Sequence, residues 1–203
     1  GGLSDAVAPA RFPKLKLRFR NQPWATRIGL GGLSEAEWRT HLGELAPLPD
    51  NLPRALALRY HGHQFRSYNP HLGDGRGFLL AQLREGASGR LLDLGTKGSG
   101  QTPWSRGGDG RLTLKGGVRE VLATELLEAL GVDTSKTLSV FETGESLARG
   151  DEPSPTRACV LVRLSHGHLR IGTFQRLAYL RDVTRLRALL CYAARLYAPE
   201  ALD

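Results

Sequence analysis

Two copies of one tetrapeptide, Gly73-Asp74-Gly75-Arg76 and Gly108-Asp109-Gly110-Arg111, stand on either side of the run Thr96-Lys97-Gly98-Ser99-Gly100-Gln101-Thr102-Pro103. Glycines without a Cβ let successive backbone N–H groups converge on an anion, and an adjacent arginine adds a planar fork of donors suited to phosphate oxygens. A single Gly-Asp-Gly is only a turn signal. Two such loops bracketing a lysine in a Gly-Ser-Gly setting read as a cradle for a polyphosphate. Glu120 follows in a helical stretch, either as a solvated carboxylate or as the partner that fixes the Lys97 ammonium toward phosphate. Arg163 and Arg170 flank Leu164-Ser165-His166-Gly167-His168-Leu169, and on pattern alone either is an ordinary surface arginine. His61 and His63 have no Cys or further His at the spacing a metal site needs.

The elements that must position these groups follow from periodicity. Gly77–Leu83 and Arg90–Thr96 are short apolar runs joined by Glu85-Gly86-Ala87-Ser88-Gly89, which reads as a hairpin. The first glycine loop therefore leads into one strand, and Lys97 stands at the end of its partner. From Lys115 to Leu130 the apolar residues Val118, Leu122, Leu126 and Leu130 recur every fourth position, widened by Val121 and Ala129. That spacing predicts a helix with an apolar stripe of the kind that packs on a core, stopped at Gly131. Thr137–Thr143 and Ala158–Leu164 read as strands around a surface loop at 144–157, and 175–197 as helix in one or two pieces closed by Pro199.

Upstream, residues 1–27 read as irregular except for the alternation Lys14-Leu15-Lys16-Leu17-Arg18-Phe19-Arg20, an edge strand with one wet face. Ser34 with Glu37 three residues later forms a capping box for a helix to about Leu45, ended by Pro47, Pro49 and Pro53. Ala55–Arg59 predicts a short strand and Tyr60–Phe65 a polar turn packing on the first glycine loop.

The chain has 203 residues, 40% of them apolar, enough for a core, and a net charge of +8 from 28 basic and 20 acidic residues. This balance favours polyanionic partners: nucleotides, nucleic acid or an acidic protein face. Cys159 and Cys191 make no disulfide framework, no apolar run reaches the roughly 18–20 residues of a membrane span, and the start lacks a signal pattern. A cytoplasmic protein with no membrane partner is expected. The absence of methionine makes Gly1-Gly2 read as a tag scar or a processed end.

Strand, glycine loop, strand with lysine, helix with glutamate and two further strands is the order of a protein-kinase N-lobe. The words His61-Gly-His-Gln-Phe65, Asn69-Pro-His-Leu-Gly-Asp-Gly-Arg76, Lys97-Gly-Ser-Gly-Gln-Thr-Pro-Trp-Ser-Arg106, Gly108-Asp-Gly-Arg111, Arg119-Glu120 and Ser165-His-Gly-His-Leu-Arg170 closely resemble the selenoprotein O family. Its members are kinase-like proteins that transfer AMP, rather than a phosphoryl group, from ATP to protein hydroxyls of Ser, Thr or Tyr. The resemblance is dense over about residues 55–180. Arg66 stands where the family commonly has Gly, and Gly107 where a larger residue is frequent.

The resemblance implies an α+β fold: an N-terminal extension over 1–54, a kinase-like N-lobe over 55–172 with an antiparallel sheet and an αC-type helix, and a helical start of a C-lobe over 173–203. It further implies that Gly73, Gly75 and Arg76 contact ATP, that Lys97 pairs with Glu120 in preference to Glu125, that Asp109 and Gly110 contribute from the second loop, and that Arg163 and Arg170 reach phosphate oxygens. The nucleotide is inverted relative to a kinase, with its terminal phosphates inside. The catalytic aspartate and the ligands for Mg2+ are expected beyond Asp203, so that this chain alone has no catalytic residue or metal site and does not turn over. A kinase-type phosphotransferase is the competing enzyme. The competing binding module, for RNA or an acidic protein, would use Arg18, Arg20, Arg27 and the arginines of 176–195; few aromatics accompany these arginines, so nucleic acid is the less favoured partner.

Overall fold

The structure, a computed structural model, describes residues 2–199. In chain order the elements are β1 (Ser4–Val7), β2 (Lys16–Arg20), α1 (Gln22–Arg27), α2 (Glu35–Leu42), β3 (Ala55–Gln64), β4 (Ser67–Gly73), β5 (Leu79–Arg84), β6 (Leu91–Lys97), β7 (Leu112–Thr113), α3 (Leu114–Ala129), β8 (Lys136–Leu147), β9 (Thr156–Ser165), α4 (Ile171–Tyr179) and α5 (Val183–Tyr197). Among the described residues the fold is α+β, with nine antiparallel strands and a few helices, consistent with a kinase-like N-lobe. The chain divides into two compact units.

The larger unit comprises Ser4–Leu58 and Asp74–His168. Its strands run in the order β1-β3-β5-β6-β9-β8-β2, with the short β7 also on β9. β9 shows why the sheet is central. Residues Ala158–Val162 are all fully buried, without the polar alternation of a strand that has one wet face. Val160, Val162 and Leu164 join a core with Trp24, Trp38, Leu42, Phe78, Leu80 and Leu94, which seats α1 and α2; Cys159 and Leu161 join a second core with Leu112, Leu114 and Val140 beneath α3. Each such leucine contributes about 1.5–3 kcal/mol on burial. Among the described residues β2 pairs only with β8, as an edge strand should.

The predicted hairpin is β5 and β6, paired from Leu79↔Gly95 to Arg84↔Leu91. The capping box at Ser34 is complete, with the Ser34 amide donating to Glu37 Oε2 at 2.9 Å and the Glu37 amide to Ser34 Oγ at 3.3 Å. Its helix closes at Leu42 on Gly43, shorter than the sequence suggested. Two elements arise where irregular chain was expected. β1 exists by pairing with Ala55–Leu58, and α1 is started by Asn21, whose side chain accepts from the Trp24 amide, with Pro23 in the first turn.

α3 departs furthest from expectation. Val118, Leu122, Leu126 and Leu130 are exposed, and the residues that face the sheet are Leu114, Gly117, Val121 and Thr124. Small side chains win that face because the helix lies close on β9: a Cβ on Gly117 would stand 2.5 Å from Cys159 Sγ. The Thr124 hydroxyl bonds that of Thr137 at 2.9 Å.

The smaller unit contains Arg59–Gly73 and the described residues of Leu169–Asp203. Here the expected polar turn at Tyr60–Phe65 is instead ladder: β3 continues to Gln64 and pairs with β4 as far as Gln64↔Ser67. The turn falls on Phe65-Arg66, both left-handed at φ 50° and 68°. Tyr68 stacks on Tyr179 and its hydroxyl meets His61 Nδ1 at 2.9 Å, so His61 serves an aromatic cluster. The C-terminal helical stretch is two helices, α4 and α5.

Candidate functional site

Lys97 ends β6 on the face of the sheet that α3 covers, because side chains alternate along a strand and its neighbour Leu161 on β9 points into the core beneath that helix. Arg163, two residues beyond Leu161, shares that face. Glu120, on the first half of α3, joins them: Lys97 Nζ donates to Glu120 Oε1, and Arg163 Nη1 lies 3.5 Å from Oε2. One carboxylate is thus shared between two cations. The close seat of α3 over Gly117 is what brings Glu120 within reach. Glu125 does not compete, since its carboxylate accepts from Asn21 Nδ2 at 3.1 Å. Burial, and then the charges of Arg76 and Arg163, push the Lys97 ammonium down to about 8. The pairing with Glu120 opposes that trend by favouring the cation.

Both glycine loops are laced to the segment that follows Lys97. From the first, Arg76 O accepts from Gly98 N at 2.7 Å, Gly75 O from Ser105 Oγ at 2.6 Å and Asp74 O from Thr102 Oγ1 at 2.6 Å. From the second, Gly110 O accepts from Gly100 N at 3.2 Å and Gly108 O from Gln101 Nε2 at 2.8 Å. Gly110 has φ +70°, and a Cβ there would sit 2.2 Å from the Gly100 backbone, so only glycine fits this crossing.

A cleft of about 920 Å³ opens beside α3, with Arg76, Lys97, Arg111, Lys115, Arg119 and Arg149 on its wall against the acids Glu120, Asp151 and Glu152. A second recess of about 490 Å³ is lined by Ala8, Ala10, Gln101, Asp109, Arg111, Glu145 and Leu147. The site residues suggested by sequence therefore part company. Arg76, Lys97 and Glu120 line the cleft, Arg163 touches Glu120, and Asp109 faces the second recess. Gly75 and Gly110 shape loop backbone. Gly73 and Arg170 belong to the smaller unit, where the Arg170 guanidinium lies 4.9 Å over the Tyr60 ring.

Cations outnumber acids around the lysine–glutamate pair on the wall of this cleft. A family model described as protein adenylyltransferase SelO matches residues 2–203. The chain belongs to the SelO family. Proteins named protein nucleotidyltransferase YdiU are similar to it: that of Synechocystis sp. is 56% identical over 196 residues, 97% of this chain and 40% of the relative. The Gloeobacter violaceus protein is 55% identical with the same coverage, and the Ruegeria pomeroyi protein 38% identical over 99% of this chain and 41% of its own length. The chain thus spans about 40% of the curated relatives it matches.

Within this SelO chain, sequence reasoning missed Arg149. Its guanidinium grips Asp109 through Nη1–Oδ2 at 2.8 Å and Nη2–Oδ1 at 3.0 Å. Burial alone would raise the Asp109 carboxyl, but the hydrogen bonds from Arg149 and the Arg111 amide, with both charges, hold it below the usual range. No periodicity marks Arg149, which lies in an irregular loop. Arg111, quoted as part of the second loop, faces both recesses and pairs with Glu145 at 2.8 Å.

Proposed function

We propose that this chain is the ATP-binding portion of a protein adenylyltransferase that passes AMP from ATP to Ser, Thr or Tyr hydroxyls of protein substrates. The observation that carries the proposal is Glu120 held between Lys97 and Arg163 on the wall of a cation-rich cleft that also presents Arg76. Lys97, Arg76, Arg163 and Arg170 hold phosphate oxygens of the inverted nucleotide, with Glu120 fixing Lys97, and Gly73, Gly75, Asp109 and Gly110 complete the set that the family pattern assigns. In the reaction the acceptor hydroxyl oxygen bonds to the α-phosphorus, the bond to the β-phosphate oxygen breaks, and pyrophosphate leaves with its charge matched by these cations. The hydroxyl proton passes to a base, and that base and the magnesium ligands are assigned to the part of the relatives that this chain does not span. The chain alone binds nucleotide without turnover.

The three N-terminal arginines named for a nucleic-acid surface are engaged within the protein. Arg18 bonds Glu142 at 2.7 Å, Arg20 lies 4.1 Å over Trp38 and Arg27 pairs with Glu85 at 3.2 Å. These engagements favour the nucleotide reading over the binding module. None of the helices among the described residues is long and apolar enough to cross a membrane; we assign the protein to the cytoplasm. The intact protein, given ATP labelled at the α- or the γ-position, is expected to pass only the α-label to an acceptor protein. Transfer of γ-label alone would make it a kinase.

A further inference from the structure

We infer that Arg149 is a positioning residue for the nucleotide, acting through Asp109, and that the β8–β9 connection carrying it is a strap that sets the second glycine loop. This rests on the proposed ATP site. Three ion pairs join segment 109–115 to segment 145–152: Asp109–Arg149 at 2.8 Å, Arg111–Glu145 at 2.8 Å and Lys115–Glu152 at 3.4 Å. The strap is itself tied where Arg149 stands, the Arg149 amide donating to Ser154 Oγ at 2.7 Å and that hydroxyl donating to Arg149 O at 2.8 Å. Arg149 lines the main cleft and holds the aspartate that lines the second recess, whereas Arg111 lines both.

The bonding of Asp109 narrows what it recognises. An ionised carboxylate accepts at about four lone-pair positions and donates nothing. Oδ1 accepts from Arg149 Nη2 at 3.0 Å and from the Arg111 amide at 2.9 Å, while Oδ2 lies 2.8 Å from Arg149 Nη1 as an ion pair. The acceptor capacity left is on Oδ2, and the guanidinium that faces both oxygens holds the carboxylate in place. Asp109 therefore meets a donor on the nucleoside, a ribose hydroxyl or the exocyclic amine of the base, and not a phosphate. Arg149 keeps the carboxylate ionised and aimed.

Steady-state kinetics of the intact protein test this. Arg149→Ala is expected to raise KM for ATP about tenfold with kcat and melting temperature unchanged, and Arg149→Lys, a charge without the fork, to recover only part of that loss. The charge exchange Lys115→Glu with Glu152→Lys is expected to restore a KM that either single change raises. ATP analogues lacking the 2′-hydroxyl, the 3′-hydroxyl or the exocyclic amine identify the donor: the one matched to Asp109 loses its penalty in Arg149→Ala. An unchanged KM in Arg149→Ala, a fall in kcat and melting temperature together, or undiminished penalties for all three analogues would overturn the inference. If Lys97→Ala also leaves ATP affinity intact, the proposed site itself fails; if Lys97→Ala abolishes binding while Arg149→Ala is silent, only the role of Arg149 fails.

Discussion

The same four residues, Gly-Asp-Gly-Arg, are held in two different ways. In the first copy Asp74 is buried and its carboxylate accepts from the Leu58 amide at 3.0 Å, while Arg76 lines the main cleft. In the second copy the aspartate is the partly exposed one, clasped by Arg149, and Arg111 is paired with Glu145. Identical sequence thus yields a loop built around a buried acceptor and a loop built from ion pairs at the surface. Local sequence sets the turn; the neighbouring strand or loop decides which side chain is structural and which lines a recess.

That contrast is open to direct attack. The largest effect is expected beside the first copy: Lys97→Ala should weaken ATP binding roughly 10- to 100-fold, the loss of a charged hydrogen bond worth ~1.5–3 kcal/mol, and Lys115→Ala, beside the second copy, by much less. Equal losses measured by calorimetric titration would erase the distinction. Next, Asp74→Ala removes a buried carboxylate and leaves the part-buried Leu58 amide without this acceptor, which should cost about 1–3 kcal/mol of stability, whereas Asp109→Ala, a surface ion pair, should cost under about 1 kcal/mol. Denaturant unfolding of the two variants compares them, and a larger loss for Asp109→Ala would invert the assignment.

Acidity gives a subtler check. Lys97 in the folded protein loses its proton near pH 8, below the ordinary lysine value that applies when the chain is unfolded. Between those two values the unfolded chain holds more protons, so this residue favours folding increasingly as pH rises through that window. Phosphate prefers the ammonium, so ATP affinity should fall as pH climbs past about 8. Lys97→Arg, which stays charged, should remove the fall; an identical pH profile in that variant would assign the titration elsewhere. The smallest effect is expected on α3, where Leu126→Ser on the exposed stripe should change stability by less than about 0.5 kcal/mol, while Gly117→Ala on the packed face should cost about 1–3 kcal/mol.

These residues also mark what could be read before the structure. The capping box at Ser34, the β5–β6 hairpin and the length of α3 follow from local signals and were legible, whereas the sequence left open whether 175–197 is one helix or two. The pairing of Lys97 with Glu120 came from order and resemblance, and the side-chain alternation of β6 and β9 explains it. What could not be read was set by distant partners. β1 is four residues that exist only by pairing with β3. The distal half of β3 carries histidines and a glycine that suggested a turn until β4 supplied its ladder. On α3 the large aliphatics drew attention to the wrong face, because a helix pressed tightly on a sheet buries its smallest residues there. Arg149 carried no local mark of any kind.

The tight seat of α3 also creates a built-in reporter. Cys159 is sealed against Gly117, and burial raises its thiol to about 12, whereas Cys191 is exposed. A thiol reagent at neutral pH should therefore modify Cys191 promptly and reach Cys159 only when the helix lifts from the strand. Lifting would part Glu120 from Lys97, so the slow alkylation of one sulfur clocks how often the charge pair comes undone.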